Sequence, residues 1–239
     1  FGDDGGSSHS SYNTAVGYNS MGGGHSTVAN NTGNGNVALG SNSFGAGTGA
    51  STAITATDNV AIGHGSLYSI STGASNVVIG YNAGNVITTA SSNTIVGHGA
   101  MDAATSGADR NVAIGISAMG GAWSSADVND CVAIGGYALD AVLTADALGS
   151  VAVGYSALGA LTSGIGNVAI GSGSMAAATT SDYNTAVGFQ TLSAINGDGT
   201  GGNTAVGWQA GAILTSGIYN TVMGVAALNA ADAGESYNV

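Results

Sequence analysis

The chain lacks proline and lysine, and its single arginine, Arg110, is set against 13 acidic residues for a formal net charge of −12. Proteins that grip nucleic-acid phosphates and basic helices that lie on membranes need clustered Lys and Arg, so both classes are excluded. Because no run of 18 apolar residues occurs, no segment is predicted to insert into a membrane. Cys131 is the only cysteine, which excludes a disulfide framework. Collagen is excluded because it needs Pro and a strict glycine period.

Glycine, by contrast, is abundant, with 43 of the 239 residues against an average usage of about 7%. Hydrophobic residues make up 44% of the chain, which argues against charge-driven disorder. The sequence opens at Phe1 without Met or a signal peptide. We therefore expect a mature product or a piece of a longer polypeptide.

Internal repetition dominates the sequence. The motif Asn13-Thr14-Ala15-Val16-Gly17 recurs with small changes at intervals of 17 to 23 residues. The twelve complete copies begin at Asn13, Asn36, Asn59, Asn76, Asn93, Asn111, Cys131, Ser150, Asn167, Asn184, Asn203 and Asn220. A thirteenth copy starts at Asn238 and is truncated, so we expect the rod to continue beyond the chain. We divide the chain into a lead-in segment, 1–12, and one repeat solenoid, 13–239.

We number positions from the first residue of each copy. Position 2 is Val or Thr and position 3 is mostly Ala, whereas position 4 is always large and aliphatic and position 5 is always Gly. β-Branched residues favour strands, and Gly permits the tight turn that follows. Because so short a unit cannot bury itself, neighbouring copies must stack, with equal positions about 4.8 Å apart. The pattern predicts an all-β parallel β-roll or β-solenoid of about twelve coils of 17–23 residues.

Asn begins ten of the twelve copies. Stacked Asn side chains can pass amide hydrogen bonds from one coil to the next, and the alternative is an Asx-type turn at the start of each strand. Both roles are structural, because the residue repeats with the period of the fold. The predicted ladder comprises Asn13, Asn36, Asn59, Asn76, Asn93, Asn111, Asn167, Asn184, Asn203 and Asn220.

Positions 3 and 4 point to opposite faces of each strand. We expect the large residue at position 4 to fill the interior of the coil, which places the small Ala column of position 3 on the outside. A flat apolar stripe of that kind marks an association surface. In the alternative arrangement, positions 2 and 4 face outward and Ala fills a very narrow coil. Both arrangements leave apolar surface for a partner and favour a homo-oligomer.

The repeated Asn-[Thr/Val]-Ala-[Val/Ile]-Gly-x-x-[Ala/Ser]-[Leu/Met] resembles the head repeats of YadA-type trimeric autotransporter adhesins. It is even more similar to the related repeats of bacteriophage tail fibres, particularly those of marine phages. Residues 13–21 and 150–158 carry the motif. The resemblance implies a left-handed parallel β-roll, three of which pack around an axis as a homotrimeric rod. The base unit of 17 residues is longer than the usual adhesin repeat, which favours the phage or another surface fibre.

Motifs for catalysis and metal binding are weak. The Asp residues fall outside the repeated strand and mostly singly, which is typical of a solvated rim. Asp127, Asn129 and Asp130 offer oxygen ligands for Ca²⁺, but without the Gly and terminal Glu of a full calcium loop. His64 and His98 share position 6 two copies apart, in a column too varied to be a set of metal ligands. We predict no enzyme, no cofactor and no metal site.

Position 6 holds an aromatic or imidazole ring in seven of the twelve copies. Tyr and Trp offer an apolar face and a polar group, so these rings could form a sugar-binding strip. The alternative is that they cover neighbouring Gly or pack between coils. Trp123 lies in an insertion, where loops carry binding groups. The candidate surface or receptor contacts are Tyr81, Trp123, Tyr155, Phe189 and Trp208.

The sequence therefore predicts a non-enzymatic structural or adhesive fibre segment, part of a phage tail fibre or extracellular surface fibre that extends or presents host or surface attachment. Two alternatives stay open: the head of a bacterial trimeric autotransporter-type adhesin, and a monomeric carbohydrate- or ice-binding solenoid. The expected partners are further copies of the chain, as a homotrimer, and a cell-surface glycan or protein receptor, with no nucleic acid and no membrane insertion. The expected location is extracellular, on a virion or cell surface.

Overall fold

The computed structural model describes residues 12–22, 32–45, 47, 54–104, 106–122, 128–144, 148–197, 199–229 and 236–237. Within these residues the protein is all-β, without a helix, and forms a parallel β-solenoid, which confirms the predicted fold class. The strands are β1 Thr14–Val16, β2 Val37–Leu39, β3 Val60–Ile62, β4 Val77–Ile79, β5 Thr94–Val96, β6 Val112–Ile114, β7 Val132–Ile134, β8 Val151–Val153, β9 Val168–Ile170, β10 Ser181–Asp182, β11 Thr185–Val187, β12 Gly199–Thr200, β13 Thr204–Val206 and β14 Thr221–Met223.

One parallel sheet of twelve strands runs along the solenoid, and each complete copy of the repeat contributes one strand to it. Equal positions lie side by side, as Ala133 beside Ala152 and Ile134 beside Val153. The backbone ladder continues past the strand ends, where the N–H of Gly40 donates to the carbonyl of Val16 at 2.8 Å. The strands β10 and β12 form a separate two-stranded parallel sheet. Because successive copies pair in register, each repeat position becomes a column of side chains along the sheet.

Four points of each copy have left-handed backbone. Position 5 has φ between +123° and +146°, and positions 7, 9 and 0, the residue before each copy, have φ between +47° and +69°. The first of these conformations favours Gly. A Cβ added at Gly154 would also lie 2.6 Å from the carbonyl carbon of Gly171 in the next coil. Position 5 is therefore restricted to Gly both by its φ and by the close approach of the next coil.

The Asn side chains of position 1 form a buried column. The Oδ1 atom of Asn59 accepts both the backbone N–H and the side-chain Nδ2–H of Asn76, each at 2.9 Å. The Nδ2 group of Asn76 also donates to the carbonyl of Ala90 at 2.8 Å. The column comprises the part-exposed Asn13 and the buried Asn36, Asn59, Asn76, Asn93, Asn111, Asn167, Asn184, Asn203 and Asn220. One amide per coil thus satisfies backbone groups at the turn and binds the next coil.

The seventh and eighth copies interrupt the Asn column with Cys131 and Ser150. The Oδ1 atom of Asn111 accepts the N–H of Cys131 at 2.9 Å, whereas Ser150 Oγ accepts the N–H of Asn167 at a longer 3.3 Å. Cys131 is fully buried, and this burial raises the pKa of its thiol. Because sulfur is a weak acceptor, the side-chain column is weakest between these two coils.

The interior of the solenoid is filled by position 3, which is buried in eleven of the twelve copies, and by large side chains from the turns. The largest fully buried side chains are Leu67, Ile70, Ile87, Ile95, Met101, Met119, Leu139, Leu143, Leu158, Leu161, Met175 and Leu192. The expectation that position 4 fills the interior is wrong: in no copy is position 4 buried. Leu, Met and Ile from the turns already occupy the narrow coil, so that mostly a methyl group fits at position 3.

The fourth and fifth copies show that the volume available inside the coil determines how large the residue at position 3 can be. Position 9 of the fourth copy is Gly84, and position 3 of the next copy is the fully buried Ile95. A Cβ added at Gly84 would lie 3.0 Å from Ile87 Cδ1 and 3.5 Å from Ile95 Cδ1. Ile95 thus fills space that a large residue at position 9 fills elsewhere. The last two copies repeat the exchange, because Gly211 at position 9 is followed by the buried Val222 at position 3.

Candidate functional site

The outward side of the twelve-stranded sheet carries the side chains of positions 2 and 4, and we call this surface the outer face. Position 4 contributes Val16, Leu39, Ile62, Ile79, Val96, Ile114, Ile134, Val153, Ile170, Val187, Val206 and Met223. None of these twelve is buried, and the exposed fraction is 37% at Ile79, 40% at Ile170 and 62% at Val16. Position 2 adds Val or Thr beside them, also never buried. Exposed aliphatic stripes of this length are typical of interaction surfaces.

The rings of position 6 follow the Gly turn and border the outer face. Four of the five predicted surface contacts lie in this column, and all four are exposed: Tyr81 by 50%, Tyr155 by 60%, Phe189 by 46% and Trp208 by 48%. The fifth, Trp123, lies outside the described residues. The structure therefore brings four of the five candidate residues into one column.

Tyr81 is stacked between two histidines of the neighbouring coils. Its ring centroid lies 5.3 Å from that of His64 and 5.2 Å from that of His98, with interplanar angles of 12° and 10°. Both faces of the Tyr81 ring are therefore covered. A sugar ring binds an aromatic side chain through an open face, so Tyr81 is poorly placed for that role.

Tyr155 packs partly against its own chain. Its ring contacts that of Tyr137 edge to face, with the centroids 5.7 Å apart. A Cβ added at Gly136 would lie 3.6 Å from Cδ2 of Tyr155. This ring covers a neighbouring Gly, which is the alternative that the sequence left open for the whole column.

Searches of protein-family models, curated proteins and solved structures gave no match. The function is therefore argued from the residues of the outer face and its borders. No helix that could cross a membrane occurs in the described part of the chain.

Position 0 forms a second border column, at the other end of the strands, that the sequence analysis did not single out. Tyr183, Tyr219 and Tyr237 lie in it with exposed fractions of 55%, 45% and 72%. Further along the same column, the Nε of Arg110 lies 2.7 Å from Oδ1 of Asp130 in the next coil. The signal was present in the sequence, because Tyr precedes the first residue of several copies.

The charged groups of the described residues lie at or near the surface. No group of three or more His, Cys, Asp or Glu side chains comes together among them. Of the three candidate Ca²⁺ ligands, Asp127 lies outside the described residues, and the carboxylate of Asp130 binds Arg110. The Oδ1 atom of Asn129 accepts the N–H of Asp109 at 2.6 Å. The hydrogen bond from Arg110 and its charge lower the pKa of Asp130.

Two further carboxyls have raised pKa values. Partial burial raises the pKa of Asp102, while the nearby His98 acts in the opposite direction. Partial burial also raises the pKa of Asp140, and the charge of Asp102 adds to that effect. For Asp140, burial and the like charge of Asp102 both disfavour the ionised form.

Proposed function

We propose that this chain is a non-enzymatic structural or adhesive segment of an extracellular fibre, on a virion or cell surface, that assembles with further copies of itself. The fibre extends or presents attachment to a host or surface. The assembly is a homotrimer of left-handed rolls, as the resemblance to YadA-like head repeats and phage tail fibres implies.

One observation carries this proposal. Position 4 is large and aliphatic in every complete copy, yet the solenoid itself buries it in none. A side chain that is free to vary on a solvated surface would include polar residues, as position 6 does with Ser41 and Ser172. Association through the outer face would remove this stripe from water and would explain why its residues remain aliphatic.

The strongly negative net charge of the chain predicts that salt stabilises the assembly. Three copies would carry 3 × −12 = −36 formal charges, with one Arg in each chain. In-register packing of parallel chains would bring equal Asp residues near one another. Dissolved salt screens such repulsion within about 10 Å at 0.1 M ionic strength, so we expect added NaCl to stabilise the assembly.

The mass of the particle in solution tests the proposal. Light scattering on the unmodified chain should give about threefold the chain mass of 22.7 kDa. Ile170→Asp on the outer face should reduce the mass to that of one chain, because it places an unpaired charge in the contact. Val142→Asp is the matched control, since Val142 is 47% exposed and lies away from the outer face. A mass of 22.7 kDa for the unmodified chain would favour a monomeric binding solenoid instead.

A further inference from the structure

The tyrosine column, Tyr183, Tyr219 and Tyr237 at position 0, has no role in the core of the solenoid. About half or more of each side chain is exposed. The residues have φ of +57°, +59° and +61°, a conformation that is unfavourable for bulky side chains and open to Gly. Gly166 and Gly202 take the same position in neighbouring copies. Since each copy has this backbone conformation at position 0, the feature that distinguishes these Tyr residues is their exposure, which leaves the rings available to a partner outside the chain.

The rings of Tyr219 and Tyr183 lie edge-on against the coil that precedes each of them. A Cβ added at Gly202 would lie 2.8 Å from Cδ1 and 2.9 Å from Cε1 of Tyr219, but 4.0 Å from its Cγ. The ring therefore rests an edge on Gly202, in the preceding coil. Tyr183 rests the same edge on Gly166, at 2.9 Å and 3.1 Å. Since the edges point along the rod, the ring faces point across it, unlike the stacked Tyr81.

The spacing of the rings follows the spacing of the coils. Tyr183 and Tyr219 lie two copies apart, which is about 9.6 Å on the inter-strand distance. Tyr237 follows in the next copy, and its ring centroid lies 5.3 Å from that of Tyr219, tilted by 41°. A rigid row of aromatic faces with phenol groups suits the alternating apolar faces and hydroxyls of a chain of sugar rings.

The charge of the protein decides which glycan fits. The chain carries a net charge of −12, and its single Arg is paired with Asp130. Anionic polysaccharides and nucleic acids would be repelled and would find no cluster of cations. A neutral glycan meets neither obstacle.

We propose that Tyr183, Tyr219 and Tyr237 form a binding strip for a neutral, unbranched glycan that lies along the rod. The proposal rests on the proposed function, because it gives the fibre a ligand, and it places the contact on the opposite border from the rings of position 6.

Affinity electrophoresis through gels that contain a soluble polysaccharide tests the strip. The neutral probes are hydroxyethyl cellulose and glucomannan, and dextran sulfate is the anionic probe. We expect a neutral probe to retard the unmodified chain and dextran sulfate to leave it unaffected. The double variant Tyr183→Gly, Tyr219→Gly should lose about tenfold in affinity, which corresponds to the stacking of two rings. It should still fold, because Gly already occupies this column at Gly166 and Gly202.

Two controls assign the effect. Tyr219→Phe keeps the ring face and should retain binding, whereas Tyr155→Ala removes an exposed ring from the other border and should leave binding unchanged. Absence of retardation by both neutral probes would overturn the proposal, and so would an equal loss in Tyr155→Ala. A double variant that loses mass by light scattering, without a change in retardation, would make the column a contact between copies and would also overturn it. The mass of the unmodified chain is measured separately, so the proposed function can fail or stand independently of the glycan.

Discussion

The third and fourth positions of the repeat are neighbours in the chain and meet different surroundings. Ala133 is fully buried, whereas Ile134 is 38% exposed, and the same contrast recurs along the sheet. At position 3 the residue is small because the interior of the coil has room for little more than a methyl group. At position 4 the residue is large although its own coil does not bury it. The type of residue at a repeated position thus depends on the surroundings that its side chain meets. A position can be aliphatic in every copy without belonging to the core of its own chain.

The largest effect is expected when the same charge is placed in turn at position 3 and at position 4, which tests which side of the strand faces the interior. Ala133→Asp should unfold the surrounding coils, because a buried carboxylate without a partner costs several kcal/mol, about 3–5 kcal/mol when uncompensated. Ile134→Asp should leave the melting of a single chain nearly unchanged and should instead disrupt assembly. Circular dichroism melts combined with light scattering separate the two effects. Equal loss of melting temperature in both variants, at a concentration where each is monomeric, would contradict the inward and outward assignment.

The volume of the interior can be tested by exchanging residues between two inward positions. Ile95→Ala should destabilise the chain by about 2–4 kcal/mol through the cavity that it leaves. Gly84→Leu alone should also destabilise, because a side chain there meets Ile87 and Ile95. The double variant restores the usual pairing of Leu at position 9 with Ala at position 3, so its loss should be smaller than the sum of the single losses. Additive losses in denaturant melts would show that the two sites do not share space.

The close stacking of one coil on the next along the solenoid can be tested by adding one methyl group at position 5. Gly154→Ala should cost about 1–3 kcal/mol beyond backbone strain, because the new Cβ would meet the backbone of Gly171. Gly224→Ala is the matched control, with a similar φ of +123°, and among the described residues its new Cβ would have only Ala227 Cβ nearby, at 3.8 Å. The difference between the two melting temperatures isolates the stacking of one coil on the next. Identical shifts would assign the whole requirement for Gly to φ.

The stability that the buried Asn column of position 1 provides can also be increased. Cys131→Asn should stabilise the chain by about 1 kcal/mol, because the amide restores hydrogen bonds that the thiol makes weakly. Adding Ser150→Asn should raise the stability further. Cys131→Ala serves as the control for loss of the sulfur alone. A decrease in the denaturation midpoint for Cys131→Asn would show that the column has adapted to the smaller side chain.

The smallest effects are expected from two carboxylates, the exposed Asp130 and the partly buried Asp102. The pKa of Asp130 is lowered, so its contribution to stability is present at neutral pH and is lost as the pH falls through that depressed value. The pKa of Asp102 is raised, so its folded form binds a proton more tightly and stability increases as the pH falls from the raised value towards the unfolded one. Asp102→Asn should therefore raise the melting temperature at pH 7 slightly, and Asp130→Asn should lower it slightly. Opposite signs in calorimetric scans would contradict both directions.

Much of the fold was predictable because twelve copies of the repeat carry the same residue pattern. The Asn motif and the Gly of position 5 recur with the period of the coils, and the structure places them in columns. The direction of positions 3 and 4 was not predictable from alternation alone, because alternation fixes which residues share a side and not which side is inside. The decisive signal was the exchange of Gly84 with Ile95, which shows that position 3 and position 9 occupy a common volume.

The candidate site was predicted less completely. The sequence left open whether the position 6 rings form an accessible strip or pack between coils, and the covering of both faces of Tyr81 depends on the distances between coils. The tyrosine column was missed because Tyr183 and Tyr219 stand just before the motif rather than within it. The insertions, one of which contains Trp123, differ in length and spacing from copy to copy. An argument from the repeat period therefore predicts nothing about their residues.

The gap in the Asn column has a mechanical consequence. When a rod of stacked coils is pulled at its ends, every junction between coils carries the same load, so the junction with the weakest bonds opens first. Regular junctions add amide bonds such as those between Asn59 and Asn76 to the backbone ladder. The junction between Cys131 and Ser150 keeps the ladder, in which the N–H of Val132 donates to the carbonyl of Ser150 at 2.9 Å, but has no side-chain amide in this column. Under tension the solenoid should yield first at this junction and leave two shorter segments joined by a single strand of chain, so that it lengthens before it breaks.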